Sequence, residues 1–189
     1  MFSMTMKLSM KNPILTRLAV LLLALLPVLS ACKKETDLQK GFREQEEKYK
    51  AIDDQLIQDY FSRHKITSKD YTRLESGIYL VNIAAGTGEN LKAGQTVQVK
   101  YTGRFITPSR EDVIFDQSFG NRSLCECFEV VIDQSAVIKG WHEALKNMKL
   151  GGRQDVFIPS YMAYGAGGSA ATIPPNEPLK FYMEIAKVR

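Results

Sequence analysis

The sequence predicts an α+β protein in which a curved antiparallel sheet wraps around one short helix, with a helical segment ahead of it. Three observations lead there. From Gly77 onward, short runs alternate apolar and polar residues and are separated by glycine turns. Within that half only residues 136–148 show a convincing helical pattern, and Gly151-Gly152 ends it. Residues 35–65 are rich in charge and free of proline, which reads as helix rather than flexible tether. The length of 189 residues leaves room for one compact domain with a modest appendage.

Taken in order, the chain opens with an address. Lys7, Lys11 and Arg17 precede an apolar run over residues 18–29, about a dozen residues, which suits a secretory signal better than a bilayer-spanning helix. The run ends in Leu29-Ser30-Ala31-Cys32, which resembles the bacterial lipobox. That resemblance implies cleavage before Cys32, lipidation of the cysteine, and anchoring of the chain in a cell envelope by acyl chains, each buried methylene adding about 0.8 kcal/mol. Lys33 and Lys34 follow the cysteine where an aspartate would signal inner-membrane retention, so outer-membrane placement is expected. The other readings are an uncleaved signal anchor and a soluble secreted protein with a coincidental cysteine.

In the helical segment, Phe42, Tyr49, Ile52, Leu56 and Tyr60 form an apolar stripe, with Gln45 at the position that would complete it. The stripe serves either as the seam of a homodimer or as a face packed on the protein's own globular domain. It could also simply space that domain from the membrane. Beyond it, strands are expected over residues 77–83, 96–101, 127–132, 154–158 and 179–188. The expected organisation is a signal peptide over residues 1–31, a tether and helical segment over 32–70, and a globular domain over 71–189.

Several function classes are excluded. Lys7, Lys11 and Arg17 lie in the leader, leaving 22 basic against 21 acidic residues in the rest, which argues against a nucleic-acid binder. No phosphate-cradling glycine loop precedes a lysine, no G-x-S-x-G elbow is present, and no histidines are paired at metal-ligand spacing. His64 and His142 alone give a zinc site or serine–histidine triad little to work with. Cys125 and Cys127, two apart, face one side if they sit on a strand. A structural pair, reduced or mutually oxidised, is favoured over a redox or metal pair because C-x-C has no further ligands nearby. No cofactor is implied.

What remains is an ordered set of aromatics and turns. The chain carries Val97-Gln98-Val99-Lys100-Tyr101-Thr102-Gly103, Phe115-Asp116-Gln117-Ser118, Val137-Ile138-Lys139-Gly140-Trp141 and Leu150-Gly151-Gly152-Arg153. Ala163-Tyr164-Gly165, Ile173-Pro174-Pro175 and Leu179-Lys180-Phe181 follow. Together, over about 110 residues from Gly77 to the carboxyl terminus, they resemble the FKBP-type peptidyl-prolyl isomerases. The resemblance implies a half-barrel curled around a helix and an apolar pocket between them that receives a proline ring. By that likeness Trp141 is the pocket floor, Tyr101, Phe115, Phe128 and Phe181 are its walls, and Val130, Val137 and Ile138 complete it. The Ile138 N–H and the Tyr164 hydroxyl would donate to substrate carbonyls, Asp116 would sit at the edge, and Ile173 on an overhanging loop.

The expected activity is therefore cis–trans isomerisation of X-Pro bonds in exported or envelope proteins, with proline-containing polypeptides as partners. The alternative is a proline-pocket binding or chaperone module with little turnover. Departures from the family pattern border the pocket: the stretch from Thr102 to Ile114 is longer than in compact members, and residues 119–127 form an insertion in which Arg122 would be the partner of the pocket aspartate. The glycine- and alanine-rich loop over residues 165–172 has little side-chain chemistry and is expected to be mobile and to shape access.

Overall fold

The computed structural model describes residues 36–120, 124–169 and 172–189; the apolar leader run, Cys32 and Arg122 lie outside the described residues. Among the described residues, two α-helices and seven strands are ordered α1 (Asp37–His64), β1 (Tyr71–Arg73), β2 (Tyr79–Ala84), β3 (Thr96–Phe105), β4 (Ile114–Gln117), β5 (Phe128–Val131), α2 (Lys139–Lys146), β6 (Arg153–Ile158) and β7 (Leu179–Val188). Compact units are Met1–Gln39 and Lys40–Arg189, and the sheet, cores and site all belong to the second.

All strand pairs are antiparallel, in the order β1-β2-β6-β7-β3-β4. β3 is the hub. One edge pairs with β7 along its whole length, and the other is shared, with β5 on Thr96–Val99 and β4 on Thr102–Arg104. Bulges at Gln98/Val99 and Gly103/Arg104 bend the sheet where a curved surface is needed. This is the curved antiparallel sheet of an α+β fold expected from the alternation, in the half-barrel form that the family resemblance implies.

The period of two sorts the side chains onto two faces. On one face Leu80, Val97, Val99, Tyr101, Val156, Ile158, Phe181, Met183 and Ile185 close over Trp141, Ala144, Leu145 and Met148 of and just beyond α2. On the other face Tyr79, Ile106 and Phe157 meet Ile57, Tyr60 and Phe61 of α1. β2 and β6 are thus covered on both sides, with Tyr79 and Phe157 pointing to α1 while Leu80, Val156 and Ile158 point to α2.

Two helical expectations need correction. The buried face of α1 is Asp53, Ile57, Tyr60 and Phe61, so of the stripe through Phe42, Tyr49, Ile52, Leu56 and Tyr60 only Tyr60 is fully buried. Phe42 is 60% and Ile52 38% exposed, because the sheet meets the helix about one residue, or 100°, round from the stripe. The second helix is shorter than residues 136–148: it begins at Lys139, since Ile138 is extended (φ −60°, ψ 148°), and its cap at Asn147 closes it. Its approach to the sheet depends on Gly140, where any Cβ would run into Ile158. Strands β1 and β4 were not expected. Each is short, and β4 is mostly exposed.

Candidate active site

The aromatic residues singled out by the sequence converge on one cavity of about 400 Å³ between β3, β4, β7 and the start of α2. It is lined by Tyr101, Phe115, Asp116, Phe128, Ala136, Val137, Ile138, Trp141, Tyr164 and Phe181. Each element delivers its residue for a local reason. Alternation on β3 and β7 turns Tyr101 and Phe181 inward, and the close seat of α2 at Gly140 lowers Trp141 onto the inner face of the sheet.

The rings pack edge to face. Tyr101 meets Trp141 with centroids 4.8 Å apart at 80°, Trp141 meets Phe181 at 5.4 Å and 88°, and Phe181 meets Phe115 at 5.5 Å and 89°. Such tilted contacts are the favoured geometry for aromatic pairs and lock the walls against one another. Phe128 stands farther off, 6.1 Å from both Tyr101 and Trp141, and is partly exposed at the rim. Gly103 makes room for this arrangement. It lies between Asp116 on β4 and Phe181 on β7, and a Cβ there would come within 2.5 Å of the Phe115 ring and 3.0 Å of Phe181.

Three polar groups frame the apolar box. The Tyr101 hydroxyl donates to Asp116 Oδ2 at 2.8 Å, while Asp116 Oδ1 accepts from the Gln117 N–H at 2.9 Å. Burial, and then the hydrogen bond to Asp116, hold the Tyr101 pKa well above the usual tyrosine value. Burial, with the Asp116 charge added, raises Tyr164 as well, so both hydroxyls are protonated donors at neutral pH. Tyr164 is 39% exposed at the mouth. Among the described residues nothing accepts from the Ile138 N–H, which precedes the first turn of α2.

Two of the expected site residues lie elsewhere. Val130 is wholly buried in the core, and Ile173 is buried too, bridged to Ser169; neither lines the cavity. The loop holding Ile173 is partly structured, with a 3₁₀ turn at Gly165–Gly167. Cys125 and Cys127 are joined as a disulfide immediately before Phe128. Two contributors were missed. Ala136 lines the cavity because the helix starts later than expected, and Ser118 ties β4 to β3, its Oγ accepting from the Tyr101 N–H at 3.0 Å. Ser118 stood within the Phe115–Ser118 motif, but a lone serine gives no sign that it will be buried.

The family model described as FKBP-type peptidyl-prolyl cis-trans isomerase matches residues 87–186, more than half of the chain and a range that holds every residue lining the cavity. The chain belongs to that family. Among its relatives, the macrophage infectivity potentiator of Trypanosoma cruzi is 36% identical over 130 residues, covering 68% of this chain and 62% of that one. The FK506-binding protein of Neisseria meningitidis serogroup B is 34% identical over 112 residues, covering 59% of this chain and 96% of that one. The chain thus spans less than two thirds of the first of these relatives. Among solved structures, FkpA from Escherichia coli superposes with a TM-score of 0.58 at 29% identity, covering 97% of this chain and 74% of that one. The antiparallel open sheet and the helix ahead of it match the FKBP structures.

Proposed function

We propose that this chain catalyses cis–trans isomerisation of X-Pro bonds in exported or envelope proteins, and does so while anchored to a bacterial outer membrane through lipid on Cys32. The observation behind the catalytic part is the aromatic-walled cavity, with hydroxyl and N–H donors at its mouth and no serine, threonine, cysteine or lysine among its lining residues. An X-Pro bond rotates over a barrier of about 20 kcal/mol because its C–N bond is partly double. No bond is made or broken and no proton has to move, so what lowers the barrier is preferential binding of the twisted amide.

Each part of the site has a place in that scheme. Trp141, Tyr101, Phe115 and Phe181 receive the proline ring and keep water from the amide, which favours the less charge-separated twisted form over the planar one. The Ile138 N–H and the Tyr164 hydroxyl hold the carbonyls on either side of the rotating bond. Asp116 acts by fixing Tyr101 and by its field, not as an acid or base. Rotation then takes place about one bond of a polypeptide whose flanks are held.

The client class is tested by refolding. A secreted protein whose slow folding phase is a proline isomerisation should refold several-fold faster with substoichiometric amounts of this protein, and rapamycin should abolish the acceleration. Acceleration that needs stoichiometric protein and ignores rapamycin would favour the binding-module reading.

A further inference from the structure

Asp53 lies in the middle of α1, is 0% exposed, and is the one acidic residue on the helix face that packs on the sheet. Its Oδ2 accepts from both the N–H and the Oγ–H of Ser160, at 2.8 and 2.7 Å, while its Oδ1 is buried with no partner. Burying a carboxylate is costly unless its hydrogen bonds are complete, and this one is held by a single residue. Ser160 opens the 3₁₀ turn Ser160–Met162, four residues ahead of Tyr164.

Met162 and Ala163 pack against the core below the turn, and Asp53 is the group that holds its first residue, Ser160, through both backbone and side chain. On its near side Pro159 follows Ile158, which is fixed in the core at the end of β6. Within it the Met162 N–H donates to Pro159 O and the Ala163 N–H to Ser160 O, both at 3.0 Å, so the backbone from Pro159 to Ala163 moves as a unit. The Tyr161 hydroxyl reaches Ser76 O at 2.9 Å. On the far side the Asn176 N–H donates to Gly165 O. The Asp53 carboxylate therefore grips the first residue of a short rigid turn whose next residue, Tyr164, is on the rim of the cavity.

We infer that Asp53 is a positioning residue for the isomerase reaction, coupling α1 to the Tyr164 hydroxyl through the Ser160 turn. The inference rests on the isomerase reading above. It makes α1 part of the machinery of the site, although no residue of the helix lines the cavity.

Charge at this position is set by a few neighbours. Desolvation raises the Asp53 pKa to about 6, opposed by the two Ser160 hydrogen bonds and assisted by the charge of Glu177. Glu177 is itself buried beside Thr107 and Arg110, and Tyr161 on the turn is influenced by Lys50, Asp53 and Asp54 of α1 and by Arg73 of β1. Protonation weakens the acceptor on Ser160, so the hold on the turn loosens as pH falls through about 6.

The test is the pH profile of kcat/KM for a proline tetrapeptide from pH 5 to 8, using the full-length protein in detergent, alongside Asp53→Asn, Asp53→Ala and Ser160→Ala. Wild type should lose turnover roughly two- to tenfold below pH 6, the size of one weakened hydrogen bond. Asp53→Asn should sit at that lower level with no step near pH 6, and Ser160→Ala should move the step upward. The loss should fall on kcat rather than KM. Amide hydrogen exchange over residues 160–164 provides a readout that does not need turnover: faster exchange in Asp53→Asn and Asp53→Ala is expected. A step near pH 6 that survives in Asp53→Asn, or unchanged exchange at the turn, would overturn the inference. Wild type that turns over no substrate at any pH would count against the isomerase reading, while the exchange result would still decide the coupling.

Discussion

Phe115 and Asp116 sit side by side on β4 yet have different duties, one as a wall of the cavity and one as the acceptor that holds Tyr101. Both stand on a short strand at the edge of the sheet, where Phe115 packs on the margin of the core against Phe105 and Phe181 without being enclosed by it. Phe115→Ala and Asp116→Ala should therefore each lower kcat/KM on the order of tenfold or more, with a circular-dichroism spectrum like that of wild type. Unchanged turnover in a folded variant would remove that residue from the site. Trp141 is floor and core together, so Trp141→Ala should cost about 3–5 kcal/mol of stability and confound its activity readout. Because Tyr101 and Tyr164 both titrate well above neutrality, turnover should be flat from about pH 7 to about pH 9, and a fall over that range would contradict their role as donors. Asp53 adds a stability consequence. Its folded pKa of about 6 lies above its unfolded value near 3.8, so the favourable contribution is complete below about pH 4 and is lost as pH rises through 6. Relative to wild type, Asp53→Asn should gain up to roughly 3 kcal/mol between those limits, read as diverging melting temperatures. Parallel melting curves across that range would refute the buried-carboxylate account.

At the scale of elements, the site depends on how closely α2 approaches the sheet. Gly140→Ala places a methyl group against Ile158 and should cost about 1–3 kcal/mol, with a loss of turnover larger than the loss of stability explains, because the same shift lifts Trp141. A variant as stable and active as wild type would show that α2 has slack. Strand β7 was legible over its whole length, and β3 over residues 96–101, where alternation decides which side faces in; β3 runs on to Phe105, because Thr102 and Gly103 are buried together and break the period. The same cannot be said of β1 and β4, where three or four residues give the period too little length to show. The face of α1 was misread for a different reason. Phe42, Tyr49, Ile52 and Leu56 make a tidy stripe in sequence, but the surface that covers the helix comes from Tyr79 and Phe157, brought together only when β2 pairs with β6. Asp53 was hidden for the same cause: in sequence it is one of many charges, and only the fold buries it against Ser160. The aromatic lining was legible through its family pattern, and Ala136 escaped because helix starts depend on capping that Ile138 does not advertise.

Within the unit Lys40–Arg189 the sheet carries a helix on each face, one seating Trp141 in the cavity and the other bound through Asp53 to the turn before Tyr164. The proposed anchor puts the lipid at the far end of the chain from the cavity in sequence, with α1 between them. Cys32→Ser should therefore release the protein from the membrane fraction while leaving kcat/KM unchanged; retention equal to wild type would rule out lipidation at that residue as the anchor. The central claim is that the aromatic cavity itself turns over X-Pro bonds. The most direct measurement is a protease-free cis-to-trans assay on a proline tetrapeptide, run with the full protein in detergent and titrated with rapamycin. The account predicts turnover far above the uncatalysed rate, lost in step with occupancy of one rapamycin site. A folded protein that binds rapamycin without accelerating the isomerisation would contradict it.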